Sequence, residues 1–390
     1  MSAREINIVV VGGSWSGVKA IRTLVNLAQS DYPNLRVTLV ERRAHYFHIT
    51  GAIRGMVDPS YAQRMCIPYD RMFSTGGIPN TNHAYIQGTL AQVHSRFIDL
   101  ESGQRIFFDY LIIATGSQYH SLPVVQSTHY HEAQELFASM RASVQRANRI
   151  LVVGGGAVGV GLCGEIADHY PDKKLTIAHN RMHLLNGDLA DSFASSAETK
   201  LSRMGVRLML GEAVLPAPNS PKNFVTPDAP QVFTTKSGKS IECDLAIWTT
   251  GGRPETRYMS TLAPSNWERP LVDAVRNRIR VRPTLQLDDD LYPHIFAIGD
   301  CNTLPDSEKY VAKACAQAKL AVINIHLMMD EGYDSRVRLS AQAGQEALAR
   351  AHLLPYFYTR NSVVVPLGKK RGVTEAWGLR FGDIATRTKK

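Results

Sequence analysis

Ile6-Asn7-Ile8-Val9-Val10-Val11-Gly12-Gly13-Ser14-Trp15-Ser16-Gly17 is the stretch whose reading decides the fold. Ile6, Ile8, Val9, Val10 and Val11 form the near-continuous apolar run expected of a strand buried on both faces of a parallel sheet. A glycine turn follows, then a helix-like stretch to about Gln29, then a second strand, Arg36 to Val40, ending at Glu41. That is one βαβ unit. The pattern returns with a strand at Arg149 to Val153, a turn at Gly154-Gly155-Gly156-Ala157-Val158-Gly159, a helix to about Tyr170 and a strand at Lys174 to Ala178. Two Rossmann-like dinucleotide-binding units in one chain predict an α/β protein.

The 390 residues around these units are too many for one ordinary core. A hydrophobic share of 44% with 20% charged residues excludes disorder, collagen and coiled coil. Apolar stretches such as Leu111 to Ala114 and Ala321 to Ile325 are far shorter than a membrane span. Only five residues precede Ile6, so no signal or transit segment is expected and the cytosol is the default location. Cys66, Cys163, Cys243, Cys301 and Cys315 are scattered without a C-x-x-C pair, which fits a reducing compartment. The net charge of +9 is concentrated: from Arg360 to Lys390 eight basic residues face two acids, leaving only about +3 elsewhere.

A G-x-G-x-x-G turn sets backbone N–H groups and a helix N-terminus against a pyrophosphate. In the first copy Gly12 and Gly17 hold the outer positions and Ser14 the middle one, with Gly13, Trp15 and Ser16 completing the loop. Ser14 is either tolerated for its size or a phosphate ligand. Glu41 strengthens the assignment, since a carboxylate at that strand end accepts hydrogen bonds from a ribose. The second copy matches at Gly154, Gly156 and Gly159, yet its second strand ends in His179, Asn180 and Arg181. Without an acid there, Arg181 is either a partner for a ribose phosphate or a solvated charge, and NADPH is as well supported as NADH.

Two further strands narrow the class. Tyr110 to Ile113 runs into Ala114-Thr115-Gly116-Ser117, and Ile295 to Ile298 runs into Gly299-Asp300. Their order resembles the two-dinucleotide flavoproteins, the pyridine nucleotide-disulfide oxidoreductase superfamily. That resemblance implies FAD, with Thr115 and Gly116 at its site and Asp300 on the ribityl chain. Ala52-Ile53-Arg54-Gly55-Met56-Val57 is similar to the segment that supplies an FAD-contacting arginine in the apoptosis-inducing-factor-like, or ferroptosis-suppressor, branch. Gly88-Thr89-Leu90 is similar to that branch's adenine loop, with Leu90 at the adenine. Val364 to Val373 looks like its C-terminal Gly-basic-Gly hairpin.

The resemblance implies an FAD domain in two parts, 1–120 and 251–306, around an NAD(P)H domain, 121–250, with a small α+β C-terminal interface or acceptor domain, 307–390. It implies an NAD(P)H oxidoreductase that passes hydride to FAD and two electrons to a quinone or similar small acceptor. Relatives often carry a Glu two residues beyond the last glycine of the second turn; this chain has Gly161, with Glu165 four residues on. The redox cysteine pair of the disulfide reductases has no counterpart.

Candidate catalytic groups are few. His48, in the loop with His45, has the right pKa range for protonating a quinone oxygen, or is a packed loop residue. Lys309 lies where a helix from about Ser307 is expected to aim its N-terminus at the flavin; with Ser307 and Tyr310 it is otherwise a cap. His129 and His131 lack further ligands, so no metal is expected. Asp288 to Asp290 reads as a turn cap, Arg276 to Arg282 as a solvated strand face, and Pro216 to Asp228 as a loop. The alternatives are a tailoring oxidoreductase on a small natural product, or an apoptosis-inducing-factor-like flavoprotein that binds DNA. Without a nucleic-acid module, the basic tail with Trp377, Leu379, Phe381 and Ile384 suits peripheral membrane contact, or a dimer edge. Met1-Ser2-Ala3-Arg4 offers no myristoylation glycine.

Overall fold

The computed structural model describes residues 5–69, 72–75, 78–79, 82–119, 122–185, 189–216, 224–225, 230–334, 342–358, 362–376 and 379–381. In chain order the elements that matter here begin with β1 (Ile6–Val11), α1 (Trp15–Ser30), β2 (Leu35–Glu41), β3 (Ala84–Gln87) and β4 (Tyr110–Ile113). Next come α2 (Tyr130–Arg146), β5 (Arg149–Val153), α3 (Ala157–His169), β6 (Lys174–Ala178), α4 (Asp191–Arg203), β7 (Arg207–Met209), β8 (Phe224–Val225) and β9 (Leu245–Trp248). The last are β10 (Ile295–Ala297), α5 (Val311–Asp330), β11 (Ser362–Leu367), β12 (Arg371–Ala376) and β13 (Leu379–Phe381).

The chain forms two compact units. The first comprises Met1–Tyr46, Pro68–Gln118 and Arg253–Tyr358, the second Phe47–Ile67, Tyr119–Gly252 and Thr359–Lys390. The residues expected as one C-terminal domain, 307–390, are divided between them, and the segment around Arg54 falls wholly in the second.

The first unit is built on a parallel sheet in the order β10-β4-β1-β2-β3. Residues of β1 from Ile8 onward and all of β4 and β10 are buried, as their apolar runs require. Helix α1 turns Ala20, Ile21, Leu24, Val25 and Ala28 toward Ala318, Ala321, Val322, Ile325 and Met328 of α5 in one core. Each fully buried Leu or Ile there contributes roughly 1.5–3 kcal/mol. The order of strands reverses beside β1, which places a crevice at the carboxyl ends of β1 and β4.

The second unit repeats the plan as β7-β6-β5-β9-β8, with β8 antiparallel. Strands β11, β12 and β13 add an antiparallel sheet whose first hairpin turns at Gly368, φ +76°. Helix α3 lies against it through small residues: a Cβ on Gly164 would stand 2.5 Å from Leu367 Cα. Most of the Pro216 to Asp228 loop, and the side chains of Trp377, Leu379, Phe381 and Ile384, lie outside the described residues.

Candidate functional site: two matched dinucleotide turns

The first turn depends on glycine for steric reasons. Gly12 has φ +105°, and a Cβ there would stand 2.3 Å from the carbonyl oxygen of Ala114. At Gly17 a Cβ would come within 1.7 Å of Gly12 O, so strand end and helix start touch backbone to backbone. The second turn shows the same distances in kind: Gly154, φ +114°, faces Thr249 O at 2.6 Å, and Gly159 faces Gly154 O at 2.0 Å. Ala114 lies just past β4 and Thr249 just past β9, ahead of Gly116 and Gly251, which both adopt positive φ.

These glycines serve the protein's own packing; Gly156 does not. A Cβ at Gly156 would meet nothing within 4 Å, at an ordinary extended backbone. Space kept open at the mouth of a helix is what close approach by a pyrophosphate requires. Ser14 caps α1 in the matching position, its hydroxyl makes no capping hydrogen bond, and no acid stands in the first turn of either α1 or α3. Both helix ends therefore fit a dinucleotide's anionic centre.

Glu41 is buried at the end of β2, with Oε2 accepting the Gly13 N–H at 2.5 Å and Oε1 that of Arg43 at 3.0 Å. A carboxylate has about four lone-pair sites, so two remain for ribose hydroxyls. Gly88 donates to Glu41 O at 3.0 Å, which brings Gly88-Thr89-Leu90 to the same strand end. Tyr69, absent from the sequence expectations, donates its hydroxyl to Gly13 O at 2.6 Å, and its ring packs 5.0 Å from Tyr85. Burial beside Glu41 drives its phenol far above the usual range. Trp15 packs edge-on against Tyr46 at 6.0 Å, and Ser16 is buried near Gly299.

At the other end of the crevice Thr115 shares a 2.6 Å hydrogen bond with the buried Tyr258. Gly299, φ +76°, opens the turn that carries Asp300, and its N–H donates to Gln317 Oε1 at 2.8 Å. Lys309 reaches back into this turn, its ammonium donating to the carbonyls of Gly299 and Asn302 at 2.8 Å each and to Asn302 Oδ1. Burial lowers its pKa to about 8. The helix expected from about Ser307 begins instead at Val311, after a 3-10 turn at Asp306–Glu308, because Lys309 folds inward between the two. Glu308 in turn pairs with buried Lys313 at 2.8 Å and accepts from Tyr356 at 2.7 Å.

In the second unit Arg54 donates to Glu165 through Nε at 3.0 Å and Nη2 at 2.7 Å, and to Gly368 O at 3.0 Å. Its guanidinium lies over the Tyr61 ring, 5.5 Å from the centroid. His48 shares hydrogen bonds with Thr50 at 3.2 Å and Tyr61 at 3.4 Å. At Gly161, where the resemblance leads to the expectation of a Glu, the side-chain space is taken by Ile53 Cδ1 at 2.7 Å. His179 follows the end of β6 and Arg181 is exposed two residues on.

Elsewhere the charged runs pair. Arg269 and Arg282 meet Asp288 and Asp290, and Arg278 meets Asp306, so the face read as solvated is an ion-pair network. Asp289 is buried, accepting from Ser265 N–H at 2.7 Å. No two cysteines form a disulfide; Cys66, Cys163, Cys243 and Cys301 are buried and Cys315 half-buried. Among the described residues no helix is long and apolar enough to cross a membrane.

The family model of the pyridine nucleotide-disulphide oxidoreductases matches residues 6–322. Apoptosis-inducing factor homolog B of Dictyostelium discoideum is 27% identical over 317 residues, covering 77% of this chain and 76% of that one. Ferroptosis suppressor protein 1 of Taeniopygia guttata is 29% identical over 325 residues, 82% of this chain and 80% of its own. Among solved structures, the sulfide:quinone oxidoreductase of the hyperthermophilic bacterium Aquifex aeolicus superposes with a TM-score of 0.66. At 13% identity, over 95% of this chain and 83% of that one, it shares the fold.

Proposed function

The chain belongs to the pyridine nucleotide-disulphide oxidoreductase family, in the branch of the apoptosis-inducing-factor homologues and ferroptosis suppressors, and from that premise we propose that its electron acceptor is a quinone-like small molecule. FAD, with NAD(P)H as co-substrate, supplies the redox chemistry when bound. The residues supply position. The Gly12 to Gly17 turn and the α1 terminus suit the FAD pyrophosphate, Glu41 its ribose, Leu90 its adenine, and Thr115, Gly116 and Asp300 its far end. Lys309 holds the Asp300 turn by capping its carbonyls. The Gly154, Gly156 and Gly159 turn suits the nicotinamide dinucleotide, and Arg54 is the cation we assign toward the flavin.

The observation that carries the acceptor is the state of the thiols: no two of them form a disulfide and four of the five are buried, which argues against a cysteine relay between cofactor and substrate. The quinone named for the Aquifex structure, which has this fold, supports the same reading. Purified protein should be yellow and bleach anaerobically with NADPH or NADH, and the bleached form should recover its colour faster with short-chain quinones than with disulfides or air. Colourless protein that FAD cannot reconstitute overturns the reading. Recovery with quinones no faster than with air removes the quinone.

The location we assign is the cytosol, with contact at an anionic membrane surface. Leu354, Phe357 and Tyr358 are 44%, 74% and 63% exposed just ahead of the basic tail. Phe357→Ser with Tyr358→Ser should lower flotation with anionic vesicles; unchanged flotation removes the contact.

A further inference from the structure

The second unit repeats the first with one exchange at its most discriminating position. Val11 pairs with Val40 and Val153 with Ala178, so Glu41 and His179 occupy the same place, one residue past the pairing. Gly13 donates its N–H to Glu41 Oε2 at 2.5 Å, and Gly155 donates its N–H to His179 Nδ1 at 3.2 Å. An imidazole nitrogen that accepts a backbone N–H carries no proton, so the ring is held as the neutral tautomer with hydrogen on Nε2. Burial, then the charge of Arg181, lowers the pKa of His179 below its usual 6.5, so the ring stays neutral at pH 7. Nε2 is buried and has no hydrogen-bond partner.

The loop that follows is fixed by its backbone. Gly211, φ +70°, donates to Arg181 O at 2.8 Å, Glu212 donates to His179 O at 2.8 Å, and Leu185 donates to Gly155 O at 2.7 Å. The nearby acids are engaged: Glu198 accepts the Leu184 N–H at 2.9 Å, and Glu212 pairs with Lys239 and Ser237 at 2.6 Å each. The Arg181 guanidinium is exposed and makes no ion pair among the described residues. A carboxylate at this strand end accepts from two ribose hydroxyls and repels a phosphate; an N–H donor followed by a cation reverses both preferences.

We propose that this strand end selects the nicotinamide cofactor by its ribose 2′-phosphate, with His179 as the uncharged partner and Arg181 as the charged one, so that NADPH is the preferred reductant. The proposal deepens the oxidoreductase reading and rests on it. Binding of adenosine 2′,5′-bisphosphate and of 5′-AMP to the FAD-loaded protein is the test, by calorimetry. The bisphosphate should bind at least about tenfold tighter. Arg181→Ala, an exposed change that leaves folding alone, should bring the two affinities together. His179→Glu, which rebuilds the first unit's carboxylate, should turn the preference toward 5′-AMP, and kcat/KM for NADPH over NADH should move the same way. Equal affinities in the wild type, or a ratio unmoved by Arg181→Ala, overturn the proposal. Protein that oxidises neither nicotinamide fails the oxidoreductase reading, a result separate from the fragment titration, which still decides the 2′-phosphate.

Discussion

Glu165 takes the guanidinium of Arg54 through two hydrogen bonds to one oxygen, across 111 residues of sequence, with the carboxylate 1% exposed and the arginine 25%. Such a carboxylate is held ready by its cation, and the cation by its carboxylate. The pair fixes the orientation of the one arginine that the resemblance assigns to FAD.

Glu165→Gln keeps the shape and removes the charge. Breaking a fully buried pair costs about 3–5 kcal/mol, and the partial exposure of Arg54 reduces that to about 1–3 kcal/mol here. Urea denaturation should show the loss, together with weaker FAD retention. A stability within about 0.3 kcal/mol of the wild type would show the pair to be idle.

Glycines in the same motif should part company. Gly156→Ala enters open space at an ordinary backbone angle, so stability should stay within about 0.5 kcal/mol while the nicotinamide Kd rises at least about tenfold. Gly12→Ala meets Ala114 O at 2.3 Å from a φ of +105° and should prevent folding of the first unit. Thermal melts and dinucleotide titration of the two variants separate packing from binding.

A carboxylate at position 161 is not free in this chain. Gly161→Glu puts a Cβ 2.7 Å from Ile53 Cδ1, the flexible end of a side chain, and should lower stability by about 1–3 kcal/mol. Ile53→Val alongside should recover part of that loss. Equal melting temperatures for the single and double variants would contradict the geometry.

Lys309 links stability to alkaline pH. Its pKa of about 8 lies below the ordinary 10.5 because burial penalises the ammonium. Between those values the unfolded chain binds more protons than the folded one, so this residue's contribution grows more favourable as pH rises through the window. Below about 8 the penalty is complete. Against Lys309→Met, the wild type should gain up to about 2 kcal/mol from pH 8 to 10.5, read by urea midpoints. A flat difference across that range would refute the buried ammonium.

The skeleton was legible because its signals are local. Buried runs, glycine turns and Glu41 sit within one βαβ unit, and steric need at Gly12 and Gly17 leaves a mark in the residues themselves. Contacts across long separations leave none: Tyr69 on Gly13, Thr115 on Tyr258 and Arg54 on Glu165 depend on folded proximity alone. One signal was readable yet missed. Thr249-Thr250-Gly251 ends its strand as Ala114-Thr115-Gly116 does, and marks the second unit's own crevice. In sequence His179 reads only as the absence of an acid; its hydrogen bond to Gly155 gives it a positive role. The late start of α5 was hidden because an inward-folded lysine is indistinguishable from a surface cap in sequence.

The buried thiols carry one more consequence. Burial raises the pKa of Cys163, Cys243 and Cys301, so little thiolate forms there at neutral pH, and thiolate is what peroxides and electrophiles attack. Oxidative or alkylating stress that silences thiol-dependent reductases finds little purchase on these three cysteines. Its turnover during such an episode follows the supply of reduced nicotinamide.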